Sequence, residues 1–120
     1  MPISSAIRQQ CRRFLGPDDE IQFVFPADIV GSAFPSVIFV VSRDAITILS
    51  TGNWHRDTPA KVLATNPRNV LLGPVDFQPV PSFALLGIRY EIDDEYVSVV
   101  NAADAELSMD LAPPDPLPDL

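Results

Sequence analysis

The sequence is poor in the residues from which catalytic and metal-binding sites are commonly built: its 120 residues include one cysteine, one histidine and one lysine. A single cysteine excludes an intrachain disulfide and any zinc site that needs several cysteines. The five glycines are scattered, so no glycine-rich loop can cradle a phosphate. These shortages disfavour an enzyme, and no catalytic residue, cofactor or metal site is predicted.

Long apolar runs are missing as well. The longest is Val37–Val41, far below the roughly 20 residues that a membrane-spanning helix needs. Arginines and glutamines between Arg8 and Arg13 interrupt the place where a signal peptide would have its apolar core. We therefore expect a cytoplasmic protein without an integral membrane segment.

The charge is strongly negative. Sixteen acidic and eight basic side chains give a net charge of -8, which disfavours nucleic acid and anionic membrane surfaces as partners. The charges are also unevenly distributed: residues 1–15 carry three arginines and no acid, and residues 101–120 carry five acids and no base. Attraction between the two ends, within one chain or between two copies, is a hypothesis for self-association.

The first half of the chain predicts a helix followed by an antiparallel hairpin. Residues 4–15 have the period of an amphipathic helix with Cys11 on its apolar face, and Gly16-Pro17 would end it. A strand follows at Ile21–Phe25, with its odd-numbered residues on one face. The strands Val37–Val41 and Ala45–Leu49 then flank a short polar turn, the pattern of a β-hairpin.

The second half predicts short strands and a second hairpin. Lys61–Ala64 and Val70–Leu72 are short strand candidates. The second hairpin joins Phe83–Ile92 to Tyr96–Val100 around an acidic turn. A short helix over residues 102–111 closes the domain. Residues 112–120 form an acidic, proline-rich tail that can be neither a helix nor a central strand.

These elements predict a single domain over residues 1–111, with all strands within residues 21–100. The fold class is mainly β (α+β): an antiparallel barrel or strongly bent sheet with an N-terminal helix and a short C-terminal helix.

Three segments carry a family resemblance: Phe14–Glu20 before the first strand, Val40–Leu49 in the first hairpin, and Trp54–Pro74. Over about residues 14–111 the chain resembles the bacterial PH-like (pleckstrin-homology-like) barrel domains, including small actinobacterial proteins of unknown function. The resemblance implies a PH-like barrel with a scaffold or binding role.

The candidate contact residues lie in loops. Arg43, Arg56 and Arg68 can converge at one end of the barrel and form, with Trp54, a small patch for an anionic or acidic-peptide ligand. Three unrelated solvated arginines explain these residues at least equally well. His55 is expected to be a solvated loop residue. The runs of carboxylates are expected to be polar turns rather than cation sites.

We therefore expect a non-enzymatic cytoplasmic protein-interaction module or scaffold, whose partner is a protein or a second copy of the chain. The alternative function is the binding of a small anionic ligand or a lipid headgroup. An enzyme is the third hypothesis, because the residues supply no nucleophile, acid–base pair or metal set.

Overall fold

The computed structural model describes residues 5–33, 35–51, 58–77 and 80–111, with side chains described as far as Leu107. The predicted fold class is confirmed: six antiparallel strands form a curled half-barrel, with one helix before the sheet and one after it. The elements in chain order are α1 (Ser5–Arg12), β1 (Ile21–Ile29), β2 (Ser36–Ser42), β3 (Ala45–Thr51), β4 (Pro59–Pro67), β5 (Ser82–Leu85), β6 (Ile88–Glu91), a 3-10 turn (Asp94–Tyr96) and α2 (Val97–Leu111).

Strand β2 lies inside the sheet and is buried on both faces. The strand order is β4-β3-β2-β1-β6-β5. Val37, Phe39 and Val41 belong to one hydrophobic core. Ile38 and Val40 belong to a second core on the other face. A strand that is covered on both faces needs apolar residues at every position, which accounts for the unbroken apolar run of β2.

The larger core lies between the sheet and α2. Phe39 is at its centre, stacked on Phe25 with ring centroids 5.0 Å apart and edge-on to Tyr90 at 4.8 Å. Both arrangements are favourable aromatic geometries. Val100 of α2 is fully buried in the same core, so α2 covers this face of the sheet.

The smaller core lies between the sheet and α1. Cys11 is fully buried there beside Val40 and Leu49, as the amphipathic pattern of α1 predicted. Ile21 packs on this side, whereas Phe23 packs in the larger core, so the prediction that they share a face is wrong. The reason is a shift in the register of β1 and β2 between these two residues, which interrupts the alternation of the strand.

A buried carboxylate fixes the turn between β2 and β3. Asp19, which precedes β1, accepts a 2.6 Å hydrogen bond from the Ser42 hydroxyl and a 3.1 Å bond from the Asp44 amide. Arg12 ties down the same connection by donating to backbone carbonyls, including that of Gly16 at 3.0 Å. The short polar turn recognised in the sequence is therefore held by a residue more than twenty positions away.

The connection from β4 to β5 is tied to α2 by a second carboxylate. Asp104 accepts hydrogen bonds from the amides of Leu72 and Gly73, at 2.8 and 2.7 Å. Arg68 reaches the same helix and donates to the carbonyl of Ala103 at 3.1 Å. These contacts fix α2 against the end of β4.

The second hairpin lies earlier than predicted. β5 and β6 pair around Leu86-Gly87, and both turn residues have positive φ, 51° and 85°. The predicted strand Tyr96–Val100 is wrong, because α2 begins at Val97. The C-terminal helix is accordingly longer than the predicted span of residues 102–111, with fifteen residues. The predicted strand Val70–Leu72 is also wrong, because these residues belong to the connection between β4 and β5.

Helical periodicity explains the early start of α2. Val100, Ala103 and Leu107 are buried at helical spacing, and this pattern extends back into the segment predicted as a strand. Asp94 and Glu95 precede the helix, where the positive end of the helix dipole favours carboxylates. The β-branched valines of the segment favoured a strand locally, but packing against the sheet selects the helix.

Replacing Leu86 by asparagine should stabilise the protein. Leu86 combines a left-handed backbone conformation with 74% exposure, and asparagine tolerates that conformation better than leucine does. We expect the free energy of unfolding to rise by about 0.5–1 kcal/mol in urea denaturation. Leu71→Asn is the control, since Leu71 is 50% exposed and its φ is not positive. An equal effect of the two substitutions would contradict the explanation.

Removing the Asp19 carboxylate should destabilise the β2–β3 turn. Asp19→Ala leaves the Asp44 amide without its acceptor and leaves the Ser42 hydroxyl only the Ala45 carbonyl, at 3.0 Å. We expect this loss to cost about 1–3 kcal/mol of unfolding free energy. The matched control is Asp18→Ala, because Asp18 is the exposed neighbour. Calorimetry measures the stability of both variants. A similar loss of unfolding free energy in the two would show that the hydrogen bonds of Asp19 do not stabilise the turn.

Candidate functional site

The predicted arginine patch is only partly described. Arg43 is exposed in the β2–β3 turn, and Arg68 follows β4. The pairing of Ala45 with Pro67 places them at the same end of the sheet. Trp54 and Arg56 lie outside the described residues, as does His55, so the patch as a whole stays a prediction.

Arg68 has a structural role in this arrangement. Its guanidinium is half-buried and donates to the Ala103 carbonyl and, at 3.4 Å, to the side-chain oxygen of Gln22. Gln22 in turn donates to Glu106 of α2 at 3.4 Å. Arg68 therefore joins β1 and α2, and of the two described arginines Arg43 is the more accessible to a partner.

A cleft of about 480 Å³ opens between the ends of β1 and β2 and the segment after β6. Four carboxylates line it, those of Asp28, Glu91, Asp93 and Asp94, and its described lining contains no base. Such a cleft repels anions. This cleft therefore does not support the alternative function, the binding of a small anionic ligand.

The cysteine is unsuited to nucleophilic chemistry. Burial raises the pKa of the Cys11 thiol to about 11, and the nearby positive charges of Arg8 and Arg13 offset only part of this rise. The thiol therefore stays protonated at neutral pH, and a protonated thiol is a poor nucleophile. The expectation that Cys11 is a core residue is confirmed by its burial.

The described part of the chain contains neither a cluster of metal ligands nor a helix that could span a membrane. No group of three or more histidine, cysteine or acidic side chains is arranged there to hold a metal ion. Neither α1 nor the described length of α2 combines the length and apolar character required to cross a bilayer.

The outer edge of β4 is the most open part of the sheet. Within the described ranges, no strand pairs with this edge. Every residue from Ala60 to Thr65 is exposed, including Val62 at 43% and Leu63 at 46%. A nine-residue edge strand with apolar side chains is a surface to which another extended chain can add.

The opposite edge of the sheet, β5, is shorter and partly covered. β5 has four residues, and Asp76 exchanges two backbone hydrogen bonds with Ser82 at 2.7 and 2.8 Å. The Asp76 carboxylate also pairs with Arg89 at 2.8 Å. The two edges therefore differ, and β4 is the one that presents backbone hydrogen-bonding groups along its length.

Two irregularities and two prolines shape the β4 edge. The register with β3 shifts at Leu63, where Ile48 pairs with Ala64 and Leu49 with Val62, and it shifts again near Ala60. Prolines, which cannot donate a hydrogen bond, stand at both ends of β4. These features limit pairing to a short segment and oppose open-ended aggregation. The sequence predicted a strand at Lys61–Ala64 but not its position at the edge.

Comparisons with protein-family models, with curated proteins and with solved structures found no match to this chain. The class that the fold defines is a mainly β protein, a curled antiparallel half-barrel flanked by an N-terminal and a C-terminal helix.

The raised pKa of Cys11 predicts a loss of stability in alkaline solution. The thiol of the unfolded chain ionises near 9.0 and that of the folded protein near 11, so the stabilisation is complete below pH 9 and is lost as the pH rises through 11. We expect the unfolding free energy of the native protein to fall, relative to Cys11→Ala, by about 2–3 kcal/mol over this interval.

Urea denaturation of both proteins at several pH values measures this difference. Burial also raises the pKa values of Tyr90 and Tyr96, but both tyrosines are present in both proteins and their contributions cancel. A difference in unfolding free energy that does not change with pH would contradict the prediction.

Proposed function

We propose that this chain is a non-enzymatic protein-interaction module that binds an extended segment of its partner by adding it as a strand to the outer edge of β4. The observation that carries the proposal is the exposed edge from Ala60 to Thr65, with Val62 and Leu63 accessible to a partner. The cytoplasmic location expected from the sequence is part of the same proposal.

In strand addition, backbone atoms provide the affinity and side-chain atoms provide the selectivity. The N–H and C=O groups on the outer side of an edge strand bond to the added strand whatever its sequence, and side chains at alternate positions supply the selectivity. At β4 the apolar contacts come from Val62 and Leu63. Pro59 and Pro67 restrict the added strand to the segment between them.

The fold is consistent with a binding role. A curled antiparallel sheet closed by a C-terminal helix is the arrangement implied by the resemblance to PH-like domains, and it supports the proposal that the chain is one of them. Trp54 and Arg56 come just before β4 in the sequence, and we retain them as proposed partner contacts. The acidic lining of the cleft makes an anionic ligand the weaker proposal.

Proline substitutions in β4 test the proposal. Ala64 and Thr65 are neighbours in a regularly paired part of β4, so one N–H points to β3 and the other points outward. Of Ala64→Pro and Thr65→Pro, we expect one to lower the melting temperature strongly, and the other to keep the fold and lose partner binding. The control Leu63→Thr keeps its N–H and should bind more weakly without losing binding completely.

Peptides selected by the wild-type protein from a random display library are the ligands for this experiment. A proline variant that keeps its melting temperature and still binds these peptides as the wild type does would overturn the proposal. If both proline variants unfold, hydrogen exchange of the wild type decides: the bound peptides should protect amides of β4, and protection confined to other strands would count against the proposal.

A further inference from the structure

We infer that the segment added to β4 alternates apolar side chains with acidic ones. This inference rests on the proposed function and specifies the chemistry of the partner. It follows from how charge and apolar surface are distributed around β4 in a chain whose net charge is -8.

The segment that contains β4 has no acidic residue of its own. Residues 58–75 contain Lys61 and Arg68 and no acid, although acids outnumber bases two to one in the whole chain. Lys61 is the only lysine of the protein, and it lies on the exposed edge strand, paired with Ser50 of β3. The strand that offers its backbone to a partner therefore carries a positive charge.

A second positive charge stands at the start of β4. Arg13 is exposed, and its guanidinium donates to the Pro59 carbonyl at 3.4 Å while lying 5.0 Å from the centre of the Phe14 ring. These contacts hold Arg13 beside the strand. Arg13 thus adds positive charge on the α1 face beside β4, whereas Lys61, which pairs with Ser50, lies on the α2 face.

The other half of the sheet has the opposite charge. Asp28, Glu91, Asp93 and Asp94 line the cleft, and the charge of Arg89 is paired with Asp76. An acidic segment is thus repelled from the β1–β6–β5 side and attracted to β4, because such fields act before contact and guide association. This difference in charge favours β4 over the other edge as the binding site, and it favours a negatively charged ligand.

Apolar side chains are needed between the acidic ones. Val62 and Leu63 are both close to half exposed, and apolar residues of an added strand would remove their surface from water. Val62 pairs with Leu49 and Lys61 with Ser50, so these two side chains point to opposite faces of β4. An added strand can therefore present apolar residues to Val62 on one face and acidic residues to Lys61 on the other.

A second copy of this chain fits β4 less well. Two β4 strands paired with each other would offer Lys61 no carboxylate partner, since residues 58–67 contain no acid. We therefore commit to a strand from another protein, and self-association becomes an outcome of the test.

Two defined peptides test the inference: one alternating glutamate with valine, and one alternating lysine with valine. Titration calorimetry at low salt should show the glutamate peptide binding about tenfold more tightly to the wild type, since exposed ion pairs are individually weak. The preference should shrink at high salt. Lys61→Glu should remove or reverse it.

The controls separate charge at β4 from net charge. Lys61→Gln and Arg89→Gln each remove one positive charge, but only Lys61 lies on β4, so only Lys61→Gln should weaken the glutamate peptide. Arg89→Gln removes one exposed ion pair, and the affinities for the glutamate peptide and the lysine peptide should stay unchanged. Equal effects of the two variants would overturn the inference.

The remaining outcomes distinguish the two proposals. If both peptides bind wild type and Lys61→Glu equally and protect β4 amides from exchange, the acidic preference is wrong and strand addition stands. If neither peptide binds and none of the library peptides protects β4, both proposals fail. If light scattering shows that wild-type dimers form and Ala64→Pro or Thr65→Pro abolishes them without unfolding, the partner strand is β4 of a second copy and the inference is wrong.

Discussion

The burial of β2 on both faces is the constraint on which the rest of the structure depends. Its side chains alternate between two separate cores, and neither core can form unless another element covers that face. The first face needs α2, whose Val100 is fully buried, and the second needs α1, whose Cys11 is fully buried. Both helices are thus required by one strand.

This arrangement also determines where the protein remains open. The two helices cover both faces of the sheet near β2, so unpaired backbone is found at the edges of the sheet. The two edge strands, β4 and β5, differ in length and in exposure. β5 is short and bridged by Asp76, whereas β4 is long and exposed from Ala60 to Thr65. The same division separates the charges, with Lys61 on β4 and the carboxylate-lined cleft across the sheet. An interaction at β4 would leave both cores undisturbed.

Local patterns are sufficient to predict the N-terminal helix and the first hairpin, but not the face of Ile21, which depends on the register of β1 with β2. The helix with Cys11 on its apolar face and the hairpin around Arg43 depend on neighbouring residues, and both are present. The predicted position of the second hairpin is wrong because Leu86-Gly87 lacks the usual asparagine or aspartate of such turns. The sequence does not predict the start of α2, because its valines favour a strand in the absence of the contact with the sheet.

The features of the candidate site depend on contacts between distant parts of the chain. Asp28 and Glu91 reach the same cleft from different strands, and no spacing in the sequence signals this. The role of Arg68, which reaches Gln22 and Ala103, is equally non-local. β4 is an edge strand because of the order of strands in the sheet, and this order cannot be predicted from the sequence of one strand. The lack of acids in residues 58–75 is a property of the sequence, but it bears on binding only once β4 is known to be an edge strand.

The central claim is that a partner strand docks on the outer edge of β4, and isotope-filtered NMR of a complex between labelled protein and an unlabelled bound peptide tests it most directly. The account predicts intermolecular contacts from the backbone protons of Lys61 to Asn66 to successive residues of the peptide, in the regular pattern of a paired strand. Contacts confined to the cleft around Asp28 and Glu91, or to β5, would contradict it.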